Sequence, residues 1–151
     1  MLKKDLLEKL YKKYNHPKYI SPDPLQFARN YANKEDIEIV CLIASSLAYG
    51  NVKQIIKAVN NILQVLGDFP KEFLQKNSKE NLFILCKNFK YRFTTDEQIA
   101  TFLFAIKEII AKFGSLENCF LSFYLPKKDY LFALQNFAKT LRSYGNISTL
   151  I

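Results

Sequence analysis

The stretch Ile37-Glu38-Ile39-Val40-Cys41-Leu42-Ile43-Ala44-Ser45-Ser46-Leu47-Ala48-Tyr49 decides the fold. It is too long for an ordinary strand and carries no charge after Glu38. A helix that is apolar nearly all round is buried by neighbours on every side. The small residues Ala44, Ser45, Ser46 and Ala48 let those neighbours come close. Gly50 and Asn51 end the run, and a second apolar stripe starts at once. The region 36–50 is therefore expected to be the central, most buried arm of an all-α domain.

The flanks of this arm carry helix signals. Asn33 precedes it as an N-cap, with Glu35, Asp36 and Glu38 in the first turns. Carboxylates at a helix N-terminus satisfy its free N–H groups and complement its dipole, so these three are read as serving their own helix rather than acid–base chemistry. Beyond the arm, Asn51 caps a helix whose stripe is Val52, Ile55, Ile56, Val59, Ile62, Leu63 and Leu66, stopped by Gly67. The two helices are expected to form an αα-hairpin with a tight turn at Tyr49-Gly50-Asn51.

The same signals recur towards the C-terminus. Pro70 opens a short helix to Lys76, and Ser78 caps another carrying Leu82, Phe83, Leu85 and Cys86. Thr95 caps a long helix with a wide apolar face from Ile99 to Phe113, and Gly114 ends it. Ser115 caps a helix expected to break at Pro126, and Asp129 caps the last one, closed by Gly145. That last helix bears Tyr130, Leu134, Phe137, Leu141 and Tyr144. This is more apolar surface than an outermost helix needs, which suits a helical protein partner.

At the other end, Leu2, Leu6, Leu7, Leu10 and Tyr14 form a stripe among five lysines. Such a helix packs its stripe on a core and solvates its lysines, or binds an acidic surface. Packing is expected here. Residues 16–33 hold three prolines and are expected to cross in extended turns, anchored by Leu25, Phe27 and Tyr31. The chain finishes on Ile147-Ser148-Thr149-Leu150-Ile151 with no polar tail. The 151 residues are expected to be one helical domain, the N-terminal portion of a longer fold.

The totals exclude several chemistries. The net charge of +8 points to an anionic partner, nucleic acid above all. A lysine-rich composition with abundant Asn, Ile, Phe and Tyr also follows from AT-rich coding. Of the 22 basic residues, all but Arg29, Arg92 and Arg142 are Lys. Cys41, Cys86 and Cys119 lie far apart among apolar residues, as reduced thiols of a cytoplasmic protein do. His16 is the one histidine, so neither a histidine triad nor a His-rich metal site can be built. There is no Walker loop and no GxGxxG. No apolar run reaches the ~18 residues of a membrane span. No cofactor or metal is expected, and no catalytic residue stands out.

One segment combines cations with rings: Lys87-Asn88-Phe89-Lys90-Tyr91-Arg92-Phe93. Basic groups for phosphate beside aromatics for stacking are the pattern of a nucleic-acid contact. The other reading is a loop with its Phe rings turned inward and its lysines solvated.

Several motifs then act together. Tyr14-Asn15-His16-Pro17, Asp23-Pro24 and Lys34-Glu35-Asp36-Ile37-Glu38-Ile39 occur in order, followed by Ser46-Leu47-Ala48-Tyr49-Gly50-Asn51, Tyr91-Arg92-Phe93 and Gly114-Ser115-Leu116-Glu117. The chain resembles the N-terminal part of a conserved bacterial family of unknown function, itself distantly similar to the helix-hairpin-helix DNA glycosylases. That resemblance implies an all-α, multi-helix orthogonal bundle related to base-excision repair enzymes, with DNA as partner. It also implies that the end of helix 37–49 faces DNA. The glycosylase hairpin and its catalytic Asp have no counterpart here, so no catalytic residue carries over. The expected nucleic-acid contacts are Tyr49, Gly50, Asn51, Lys53, Lys90 and Arg92. An aromatic such as Tyr49 can wedge into a base stack, or pack between helices. Backbone N–H groups at the Asn51 helix start can receive a phosphate.

Overall fold

The long helix that opens at Thr95 is the hub of the molecule. The computed structural model describes residues 2–151. In chain order these form α1 (Leu2–Tyr14), two 3-10 segments (Pro17–Tyr19 and Pro24–Asn30), α2 (Lys34–Ser46), α3 (Val52–Leu66), α4 (Pro70–Lys76) and α5 (Lys79–Leu85). A two-stranded antiparallel hairpin follows, β1 (Lys90–Tyr91) and β2 (Thr94–Thr95). The remainder is α6 (Asp96–Phe113), α7 (Leu116–Lys127) and α8 (Tyr130–Arg142). The fold is all-α and multi-helical; the hairpin is its one addition among the described residues.

Ile99, Phe102, Leu103, Ile106 and Ile109 of α6 are wholly buried, and α6 packs against α4, α5, α7 and α8. Each such side chain contributes about 1.5–3 kcal/mol through the area it removes from water. This corrects the expectation that 37–49 is the most buried arm. In α2 only Asp36, Ile39, Val40, Ile43 and Ala44 are buried. Ser45 and Ala48 are exposed, and Cys41 and Leu42 are half-buried on an open side. An uncharged run selects for one buried face but does not require two.

The tight turn expected at Tyr49-Gly50-Asn51 between α2 and α3 is a longer loop. α2 ends at Ser46, and the five residues from Leu47 to Asn51 lead into α3. The last turn tightens, with Ala48 N–H donating to the Ser45 carbonyl at 3.1 Å and Tyr49 N–H to that of Leu47 at 2.8 Å. The caps and stops at Asn51, Gly67, Pro70, Ser78, Thr95, Gly114, Ser115 and Asp129 fall where the residue types place them. Thr95 and Gln98 form a reciprocal capping box. Pro126 departs from expectation, lying inside the last turn of α7 rather than ending it.

The three carboxylates near Asn33 do serve helix starts, but two of them cap helices other than their own. Buried Asp36 accepts from Lys71 N–H at 2.8 Å in the first turn of α4, and from Asn33 Nδ2 at 3.2 Å. Glu38 accepts from Leu116 N–H at 2.8 Å and Glu117 N–H at 2.9 Å, where α7 begins. Glu35 sits 3.5 Å from Lys71 Nζ. The N-terminal half of α2 is thus a clamp on two later helices.

The N-terminal helix departs from expectation. The apolar stripe of α1 does not pack: Leu6, Leu7, Leu10, Tyr11 and Tyr14 are all exposed. The connection from α1 into 24–30 is bonded locally, with Lys18 N–H on His16 Nδ1 and Ile20 N–H on the Pro17 carbonyl. Tyr14 and Tyr19 pack ring to ring at 5.3 Å, and α1 is held off the body. Ile147 and Leu150, by contrast, are buried in the core. Of the anchors expected in the crossing, Phe27 is buried and Tyr31 donates its hydroxyl to the Gly67 carbonyl, while Leu25 stays exposed. On α8, Tyr130, Leu131 and Leu134 are exposed and only Ala133 and Leu141 are buried.

Candidate nucleic-acid interface

The two sequence-distant groups of candidate residues meet. The loop Leu47–Asn51 and the hairpin Lys90–Thr95 are locked by a reciprocal pair of tyrosines. Tyr91 donates its hydroxyl to the Tyr49 carbonyl. Tyr49 Oη lies 2.6 Å from Thr94 Oγ1 and 3.3 Å from the Tyr91 carbonyl. The two rings pack at 5.0 Å with a 47° tilt. Burial, then the neighbouring Tyr49, raises the Tyr91 pKa above its ordinary value, so its donating proton stays in place. The polar chain continues through buried Thr94 to half-buried Thr149 and Gln98. Thr94 Oγ1 is 2.9 Å from Thr149 Oγ1, which lies 3.1 Å from the Gln98 side-chain oxygen. A buried polar group without a partner is costly, and here each one has a partner.

This network commits Tyr49 to packing, with its ring and hydroxyl both held. The free aromatic is Phe93, which is 73% exposed at the hairpin tip. Register pairs Tyr91 with Thr94, leaving Arg92 and Phe93 as the two-residue turn. Arg92 takes φ +50°, a conformation that costs a side-chain-bearing residue about 1–2 kcal/mol. Its guanidinium carbon lies 5.9 Å from the Phe93 ring centroid. The Arg92 side chain also crosses Gly50: a Cβ on Gly50 would stand 2.6 Å from Nη1. Gly50 itself has φ +103°, so the glycine serves both the turn and the close approach.

Asn51 is occupied in capping, its side chain accepting from Lys53 N–H at 3.0 Å. That leaves Lys53 exposed on the first turn of α3, and Lys90 exposed on β1 opposite Thr95. The ion pairs among the described residues are Lys34–Glu117, Lys71–Glu35 and Lys76–Glu72, none of which uses Lys53, Lys90 or Arg92. Arg92 lies against the loop at Gly50 with the ring of Phe93 projecting beside it, Lys53 is exposed in the first turn of α3, and Lys90, next to Tyr91 in β1, is on the opposite face of that strand. Sequence reasoning placed Arg92 here and passed over Phe93 as a contact. The exposure of Phe93 follows from a two-residue turn that strands of only two residues conceal.

Other chemistry is thin. Burial pushes the Cys86 and Cys119 thiols up to about 11, which leaves little thiolate at neutral pH. Among the described residues, no cluster of three or more His, Cys, Asp or Glu side chains gathers for a metal, and no helix is long and apolar enough to cross a membrane.

The chain belongs to the family described as Protein of unknown function (DUF2400), which matches residues 23–150. Neither a curated protein nor a solved structure matches the chain.

Proposed function

We propose that this member of the family binds DNA through the tip formed by Gly50, Asn51, Lys53, Lys90 and Arg92, with Tyr49 setting the loop from behind. The observation that carries the reading is the turn Arg92-Phe93. A cation and an aromatic are held at the surface in a conformation unfavourable for arginine, braced by a part-buried hydrogen-bond network. Backbone strain of this kind collects at binding sites. The cations supply phosphate contacts, the ring supplies stacking on an unpaired base, and the net charge of +8 draws the polyanion in. The motifs resemble a family of unknown function that is itself distantly similar to the helix-hairpin-helix DNA glycosylases, and this reading takes a flipped or damaged base as the target. The present residues serve as scaffold and phosphate clamp, without a catalytic carboxylate.

The test is anisotropy with labelled duplexes across a salt series. Charge reversal at Lys53, Lys90 and Arg92 should weaken binding and lower the salt slope by about one for each phosphate no longer neutralised. Unchanged affinity and slope would take these residues off the DNA. Incubation with duplexes carrying mismatched, damaged or abasic sites should leave the strands intact. Cleavage by this chain would overturn the assignment of a scaffold role.

A second reading, a non-catalytic helical module for a protein partner, draws on the exposed Tyr130, Leu131 and Leu134 of α8. Failure to bind DNA at low salt, with capture of a helical partner on α8, would favour it.

A further inference from the structure

Two unpartnered surfaces on this chain match each other. The first is α1. Its Leu6, Leu7, Leu10 and Tyr14 are exposed, and Lys3, Lys4, Lys9, Lys12 and Lys13 flank them against the two carboxylates Asp5 and Glu8, so the helix is net basic. The second is a groove of about 630 Å³ between the 24–30 segment, the open face of α2 and the start of α7. Its floor is apolar, with Leu25, Ala28, Leu42, Ala48, Phe120 and Phe137. Phe137 extends the floor along α8 towards exposed Leu134, one turn away on the same face.

The charges are complementary. Asp23, Glu38 and Glu117 are the charged residues lining the groove, and no Lys or Arg lines it. Lys34 pairs with Glu117 from outside, so the lining keeps a net negative charge. A basic amphipathic helix and an apolar trough with carboxylates on its margin are the two halves of a helix-in-groove contact. We propose that α1 of one copy of this chain seats in the groove of a second copy, and the second returns the contact.

The occupant is a second copy because of how α1 is joined to its own body. The wall of the groove begins at Asp23 and Pro24, and the chain from Tyr14 to Asp23 is a run of local hydrogen bonds that carries α1 outward. With that run in place residues 3–14 are all exposed, so α1 does not occupy its own groove, and docking into a neighbour leaves the run as it is. Reciprocal exchange buries two identical contacts around a twofold axis, the commonest closed arrangement of identical chains.

Light scattering on the full chain across a concentration series tests this. The wild type should be a dimer. Leu7→Glu places a carboxylate in the stripe, and Leu25→Lys places a cation in the groove. Both sites are exposed, so circular dichroism should show folded protein. Each variant alone should be a monomer. An equimolar mixture should recover dimer, because the α1 of the Leu25→Lys chain meets the groove of the Leu7→Glu chain. A monomeric wild type overturns the proposal, whether hydrogen exchange finds α1 protected in its own groove or α1 instead binds anionic vesicles. A dimer that survives both substitutions overturns it too.

Discussion

The two ends of α2 use polar residues for opposite purposes. At the N-terminal end, Asp36 and Glu38 turn inward and hold the first turns of α4 and α7. At the C-terminal end, the loop after Ser46 props a strained hairpin whose Phe93 projects into solvent and whose exposed Arg92 lies across Gly50. One end gives up exposed charge and gains stability, and the other keeps exposed charge and loses some. The contrast teaches where function belongs. A polar group whose every bond lies inside the molecule is explained by folding. A cation held out in an unfavourable backbone conformation is not.

Four substitutions press on that contrast. Asp36→Ala strips acceptors from Lys71 N–H and Asn33 in a buried site, and should destabilise by about 2–3 kcal/mol in urea melts. DNA affinity of the folded fraction should not change. Gly50→Val forces a β-branched residue into positive φ and pushes on Arg92. A loss of about 2 kcal/mol with weakened DNA binding is expected, and a loss of stability alone would separate the loop from the site. Glu38→Ala removes a cap from α7 and should cost about 1–2 kcal/mol. Hydrogen exchange should show faster turnover at Leu116 and Glu117, with DNA binding intact. The smallest stability effect has the opposite sign. Arg92→Gly relieves the turn and should raise stability by about 0.5–1 kcal/mol while weakening DNA binding and reducing the salt slope. If stability falls instead, Arg92 is a structural residue and the contrast between the ends collapses.

Much of the fold was legible because its punctuation is local. Asn51, Ser78, Thr95, Ser115 and Asp129 cap within three residues of themselves, and Gly67 and Gly114 stop helices by their own conformation. What was illegible is long-range. Nothing near Glu38 in sequence announces a bond to residues 78 and 79 positions away. The hairpin escaped notice because strands of two residues have no period to detect. Periodicity marks the stripe of α1 as needing cover without naming the cover, and that stripe stays exposed here while the aperiodic Leu150 is buried. At the candidate site, the residue types were readable but not their division of labour. Tyr49 and Phe93 are both aromatics beside a cation, and only the Tyr91 lock tells the held ring from the free one.

The bond from Glu38 to the start of α7 also bears on the order of assembly. The first turn of α7 lacks its full complement of acceptors until a helix made 78 residues earlier is in position. Closing so long a loop costs chain entropy before any contact offsets it. During synthesis α2 emerges first and waits, while α7 arrives late to a seat already prepared. The first turn of α7 is therefore expected to gain its stability late, together with the closing of this contact, and to be released early on unfolding.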